Sequence, residues 1–201
     1  DEITKDLVEI KWNAEAAEKA GFEHFMMKEI HEQPKAVRDT LNSVLKDGKI
    51  DLSQTGLTSE KMRAWQQVYI VGCGSAYHVG VTAQYVLEDL VRIPVRVELA
   101  SEFRYRRPLL TENTLVVIIS QSGETADSLA ALREAREYGA KTLAIVNVVG
   151  ATIAREADHV FYTLAGPEIA VATTKAYSTQ LMAVYTLAIA MAEARGTLTE
   201  E

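Results

Sequence analysis

The sequence predicts an α/β domain: a five-stranded, doubly wound parallel sheet with helices on both faces, preceded by an N-terminal helical segment. Three observations carry this. Short runs apolar on both faces recur at 68–74 (VYIVGCG), 95–100 (VRVELA), 115–120 (LVVIIS), 142–148 (TLAIVNV) and 159–164 (HVFYTL). Helix-like stretches alternate with them. Gly and Ser crowd two of the strand-to-helix junctions. Strands buried on both faces belong to parallel sheets covered by helices. Right-handed crossovers then give a flavodoxin-like sandwich.

Each element follows in turn. Residues 1–21 are charged and aperiodic, and read as an extended lead-in. Residues 22–33 place Phe22, Phe25, Met26, Glu29 and Ile30 at helical spacing. Pro34 then interrupts, and it suits the first turn of a second helix over 34–46, with Val37, Leu41, Val44 and Leu45 on one face. Asp47-Gly48 ends that helix. The first strand ends in glycines, and its helix runs to about Val91. The third strand's helix ends near Tyr138-Gly139. A long helix over 173–194 closes the chain. Its 176–194 portion is apolar nearly all round (Leu181, Met182, Val184, Leu187, Ile189, Met191), which predicts self-association unless the helix is deeply buried.

Bulk properties narrow the function classes. The chain has 201 residues, 48% of them hydrophobic and 24% charged, enough for a real core. A net charge of −7 argues against nucleic acid and anionic membrane as partners, though not against a small phosphorylated ligand. One cysteine, Cys73, rules out an internal disulfide and fits a reducing, cytoplasmic setting. There is no signal peptide and no apolar run long enough to span a bilayer. Asp1 in place of Met reads as an excised piece of something longer.

In such sheets, ligands bind beyond the carboxyl ends of the strands, where strand order reverses. Two loops suit that position: Gly72-Cys73-Gly74-Ser75-Ala76 after the first strand, and Ser120-Gln121-Ser122-Gly123-Glu124-Thr125 after the third. Glycines let a ligand approach the main chain, and the first amides of a helix point outward unpaired. The hydroxyls of Ser75, Ser120, Ser122 and Thr125 add short, uncharged donors. Together these make an anion cradle, with phosphate its usual occupant. The plainer alternative is that Ser122 merely caps its own helix. Glu124 complements the helix dipole and points to solvent or to a sugar hydroxyl. A third region, 168–180 (EIAVATTKAYSTQ), enters the last helix. There Thr173 and Thr174 are candidate caps, and Lys175 supplies positive charge or is simply solvated.

Other chemistries fit poorly. No phosphate-loop string G-x-x-x-x-G-K-[ST] occurs. A dinucleotide fingerprint wants a small residue where Tyr77 stands, although Glu98 lies at a plausible distance for a ribose contact. Ser120 lacks a nucleophile-elbow context. Cys73 reads as a small residue filling a tight turn, despite its place near a helix start. His24, His31, His78 and His159 show no metal spacing, and no metal or cofactor is expected.

Five blocks in order are also informative: HFMMKEIHEQP (24–34), VGCGSAYHVG (71–80), ELASEFRYR (98–106), ISQSGETADS (119–128) and EIAVATTKAYSTQL (168–181). They resemble the isomerising glutamine–fructose-6-phosphate aminotransferases over essentially the whole chain. The resemblance implies a linker remnant (1–21), N-terminal helices (22–48) and the first of two sugar-isomerase (SIS) domains (49–201). It implies a hexose 6-phosphate ligand, fructose 6-phosphate or glucosamine 6-phosphate. It assigns phosphate contacts to Ser120, Ser122 and Thr125, with Gln121 adjacent. It adds Cys73, Gly74 and Ser75 from the first loop, and Val171 and Thr173 near the sugar. Ala76, where the family often has a serine, is reduced to a backbone donor; Gly123, Glu124, Glu168 and Lys175 are peripheral candidates. The family's glutaminase nucleophile and isomerase acid–base groups fall outside these residues, so no catalytic residue is expected within them. A glutaminase domain and a second SIS domain of the same chain are the implied partners, with a homodimer. Two other readings stay open: a sugar-phosphate-sensing module of a DNA-binding regulator, and a sugar isomerase complete in one SIS domain.

Overall fold

The computed structural model describes residues 17–198. The expected lead-in therefore lies outside the described residues, except for 17–21. The first element is one helix, α1 (Phe25–Asn42), where two were expected. Pro34 sits inside it. Proline removes the N–H that would bond the carbonyl four residues back, here that of Ile30. The Gln33 side-chain amide donates to that oxygen instead, at 3.3 Å. The neighbour of the proline thus satisfies the carbonyl the proline orphans, and the helix continues. The face α1 buries is also unexpected. Lys28, Glu29, Ala36 and Thr40 are buried, while Met26 and Ile30 are exposed. Asp47-Gly48 does not end a helix. Both residues have positive φ (51° and 77°) and form the tight turn between β1 (Leu45–Lys46) and β2 (Lys49–Ile50). A short helix, α2 (Ser59–Ala64), follows, capped by the Thr58 hydroxyl.

The expected sheet is present. Its strands are β3 (Gln67–Gly72), β4 (Val95–Leu99), β5 (Thr114–Ser120), β6 (Lys141–Val146) and β7 (His159–Tyr162). Their order is β4-β3-β5-β6-β7, and every pairing is parallel. The chain winds one way from β3 to β4 and the other way from β5 onward, so the switch point lies between β3 and β5. All seven residues of β5 are buried, as a central strand covered on both faces requires.

Alternate residues of β5 divide the core in two. Leu115, Val117 and Ile119 face α3 (Ser75–Val91) and α7 (Lys175–Arg195), meeting Leu87, Val91, Val184 and Leu187. Val116 and Ile118 face α4 (Ala100–Phe103), α5 (Ala126–Glu137) and α6 (Thr152–Glu156), meeting Phe103, Leu132 and Ile153. α7 is packed against α1, α2 and α3. Its apolar girth is therefore used within the chain, and the argument for self-association from this helix loses its basis. Among the described residues, no helix is long and apolar enough to cross a membrane.

α3 lies close on the sheet because Gly80 lets it. A Cβ there would stand 2.8 Å from Val97 Cγ1 and 2.9 Å from Ile70 Cγ2. Gly80→Ala is expected to destabilise the fold by roughly 1–3 kcal/mol through overpacking, read as a lower urea midpoint at unchanged slope.

Candidate functional site

The site begins where β3 and β5 end side by side, with Gly72 paired to Ile119. β5 closes on Ser120, which is buried. The Ser120 hydroxyl accepts from the Gly123 amide (3.1 Å) and lies 3.1 Å from Thr125 Oγ1. Ser122 does not cap the helix. Its hydroxyl accepts from the Glu124 amide at 3.2 Å, which tightens the loop. Gly123 has φ +66°, and a Cβ there would stand 2.5 Å from the Ala151 methyl. Only glycine fits a loop pressed this close to its neighbour. Thr125 is the residue before α5, and no side chain caps that helix. The first turn of α5 thus presents main-chain amides, with the hydroxyls of Ser120, Ser122 and Thr125 around them.

The first loop adjoins this one. Cys73 Sγ lies 3.7 Å from Ser128 Oγ on α5. Gly74 is the residue before α3, with φ +55°, and α3 too has no side-chain cap. Gly74 and Ser75 are exposed. Ala76 is different: its amide already donates to the Cys73 carbonyl (3.2 Å) and its methyl is buried, so the backbone-donor role expected for it is occupied. Gln121 is half-buried, and its carbonyl accepts from the Asn147 amide at 3.1 Å.

Asn147 is a residue the sequence reading missed. It is buried just beyond β6. Its Nδ2 donates to the Gly166 carbonyl (2.7 Å) and its Oδ1 accepts from the Ala165 amide (2.8 Å). It therefore links the Gln121 loop to the chain leaving β7. The available signal was a lone amide inside an otherwise apolar strand, TLAIVNV.

The third region opens at the same end of the sheet. Neither Thr173 nor Thr174 caps α7. The Glu168 carboxylate does so, accepting from the amides of Thr174 (2.9 Å) and Ala176 (3.1 Å) and from the Thr173 hydroxyl (2.9 Å). Lys175 is neither in the cradle nor solvated. It is buried, with Nζ 2.6 Å from Glu32 on α1. Val171 is fully exposed at the loop tip. Glu124 also turns away from the cradle and accepts from the Thr152 amide at 2.7 Å. That bond, with smaller help from Arg155, holds its carboxyl below the ordinary value of 4.5. Glu98, a ribose contact in the nucleotide reading, pairs instead with Arg106 at 3.0 Å. A guanidinium does stand at the first turn of α5: Arg104 bonds Asp127 at 2.7 Å. Among the described residues, no cluster of His, Cys, Asp and Glu could hold a metal.

The domain is thus a doubly wound α/β module in which two helix starts, those of α3 and α5, meet at the switch point of the sheet. The family described as the SIS domain matches residues 61–190, and the chain belongs to that family. It is 55% identical over 201 residues to glutamine–fructose-6-phosphate aminotransferase [isomerizing] of Clostridium tetani, and covers 33% of that protein's length. The chain thus spans about a third of the curated relatives it matches. Among solved structures, it matches the C-terminal domain of glucosamine-fructose-6-phosphate aminotransferase from Francisella tularensis. The TM-score is 0.87 and the identity 41%, over 91% of this chain and 52% of that one. It also matches a glucosamine-6-phosphate deaminase from Thermotoga maritima, with a TM-score of 0.70 and 25% identity, over 88% of this chain and 50% of that one.

The depressed Glu124 carboxyl fixes a sign. Its stabilisation is fully present above pH 4.5 and is lost as pH falls through the lower folded-state value. Glu124→Gln is therefore expected to flatten the fall in stability below pH 4.5, measured as urea midpoints from pH 6 to pH 3.

Proposed function

We propose that this chain is the phosphate-gripping SIS domain of an isomerising glutamine–fructose-6-phosphate aminotransferase, and that its cradle takes a hexose 6-phosphate. The observation that carries the reading is the meeting of two helix starts, α3 and α5, at one switch point, the second of them left uncapped by its own Thr125. Three hydroxyls, those of Ser120, Ser122 and Thr125, surround the second of them. A phosphate dianion is stabilised by first-turn amides and the helix dipole, and hydroxyl donors complete its shell. Ser75 and Gly74 approach it from the first loop. Val171 and Thr173 face the sugar.

The clamp's role is positional. Holding the non-reacting phosphate end orients C1 and C2 of the sugar toward groups supplied elsewhere. In the parent enzyme those groups belong to a second SIS domain, with a glutaminase domain supplying ammonia. The fragment alone then binds without turnover, in the cytoplasm. The homodimer belongs to the same reading and rests on the family layout, not on α7.

Titration calorimetry of the chain with glucosamine 6-phosphate and with unphosphorylated glucosamine tests the reading. Binding of the phosphate ester alone is expected, and Thr125→Ala is expected to weaken it about tenfold by removing a donor to a charged group. Equal weak binding of both sugars overturns it. Turnover of fructose 6-phosphate by the chain alone points instead to a self-sufficient isomerase.

A further inference from the structure

Glu168 holds the far end of the loop proposed to face the sugar, at Thr173 and Thr174, but the side chains at its tip are exposed. Ile169 is 46% exposed and Val171 104% exposed. What holds the tip is a carboxylate from a remote part of the chain. Glu29 of α1, only 2% exposed, accepts from the amides of Ile169 (2.7 Å) and Ala170 (3.2 Å) through a single oxygen, Oε1. Its other oxygen, Oε2, is buried with no hydrogen-bond partner among the described residues. With no partner on its second oxygen, the side chain's hydrogen bonds go to these two neighbouring amides of the loop. The rest of α1 is fastened to the start of α7. Glu32 pairs with Lys175 at 2.6 Å, and the Ser178 hydroxyl donates to Gln33 Oε1 at 2.5 Å. From this frame Glu29 reaches a loop with no other side-chain anchor at its tip. α1 lies outside the matched SIS segment, 61–190, so this support is additional to the shared module.

We infer that Glu29 is a positioning residue: by holding the main chain at Ile169 and Ala170 it sets the affinity for the hexose part of the ligand, while leaving phosphate capture to the β3 and β5 loops. The inference rests on the reading given under Proposed function, and it separates two components of binding that the reading joins.

The test titrates the chain with glucosamine 6-phosphate and with inorganic phosphate, in the wild type, Glu29→Ala and Glu29→Gln. Glu29→Ala is expected to weaken glucosamine 6-phosphate about tenfold while changing inorganic phosphate by less than about twofold. Glu29→Gln keeps a neutral acceptor and is expected to lose only about threefold for the sugar ester. Equal loss of both ligands, or loss of neither, overturns the inference. Should Glu29→Ala fail to fold, amide exchange in Glu29→Gln decides: faster exchange at Ile169 and Ala170 supports the clamp, and unchanged exchange overturns it. A wild type that binds no glucosamine 6-phosphate defeats the reading of the site. The clamp is then judged on amide exchange alone.

Discussion

Buried main-chain N–H groups must find acceptors, and in this chain carboxylates supply many of them. Glu88 on α3 accepts from the Val95 amide at 2.9 Å, closing the turn into β4. Asp158 accepts from the Thr142 amide (2.9 Å) and hydroxyl (2.7 Å), tying the starts of β6 and β7 together. Glu124 serves α6, Glu168 serves α7, and Glu29 serves the loop before α7. These acids contribute to the net charge of −7. At the switch point the local arrangement differs: Gly74 and Thr125 give no side-chain bond to the helices they precede, and the Ala76 and Tyr77 amides of α3 donate to the Cys73 and Gly74 carbonyls. The acid in the first turn of α5, Asp127, is held by Arg104. In the proposed reading it is therefore the start of α5 that contributes most of the amides offered to a phosphate.

Much of the sheet was legible because period and composition agree. Strands such as LVVIIS and TLAIVNV are apolar on both faces, and helices alternate with them, which leaves few topologies. The order β4-β3-β5-β6-β7 and the adjacency of the two Gly/Ser loops followed from that. The N-terminal helix was misread for a physical reason. Helical spacing pointed to a face with Met26, Glu29 and Ile30, yet of these only Glu29 is buried, alongside Lys28, which lay off that face. Hydrophobic periodicity is blind to a helix fastened by charge. Pro34 misled in the same way, since its effect depends on whether a neighbour takes over the freed carbonyl, and Gln33 does. Among site residues, backbone pattern located the loops, while the targets of Glu124, Glu168 and Lys175 depended on tertiary partners that no local spacing records.

Lys175 lies outside the cradle, and the guanidinium at the first turn of α5, that of Arg104, is paired with Asp127. The Lys175 ammonium is buried against Glu32, and its charge joins α1 to α7. In the proposed reading the attraction for a phosphate is carried chiefly by peptide dipoles, whose orientation the fold fixes. A preorganised field of this kind requires little rearrangement when the ligand arrives.

The hydroxyls follow the same logic. The Ser120 and Thr125 hydroxyls lie 3.1 Å apart, and the Ser120 and Ser122 hydroxyls accept from the loop's own amides. In the proposed reading, binding redirects the hydroxyl protons of Ser120, Ser122 and Thr125 toward the ligand and leaves the amide bonds that shape the loop intact. Because each new bond replaces an old one in part, the net gain per hydroxyl is about 1 kcal/mol, well below the full strength of the bond. A clamp of several such groups can hold an anion firmly enough to orient it and loosely enough to release it. The task proposed for this domain, holding the unreacting end of a sugar phosphate, calls for that balance, which a single strong ion pair does not supply.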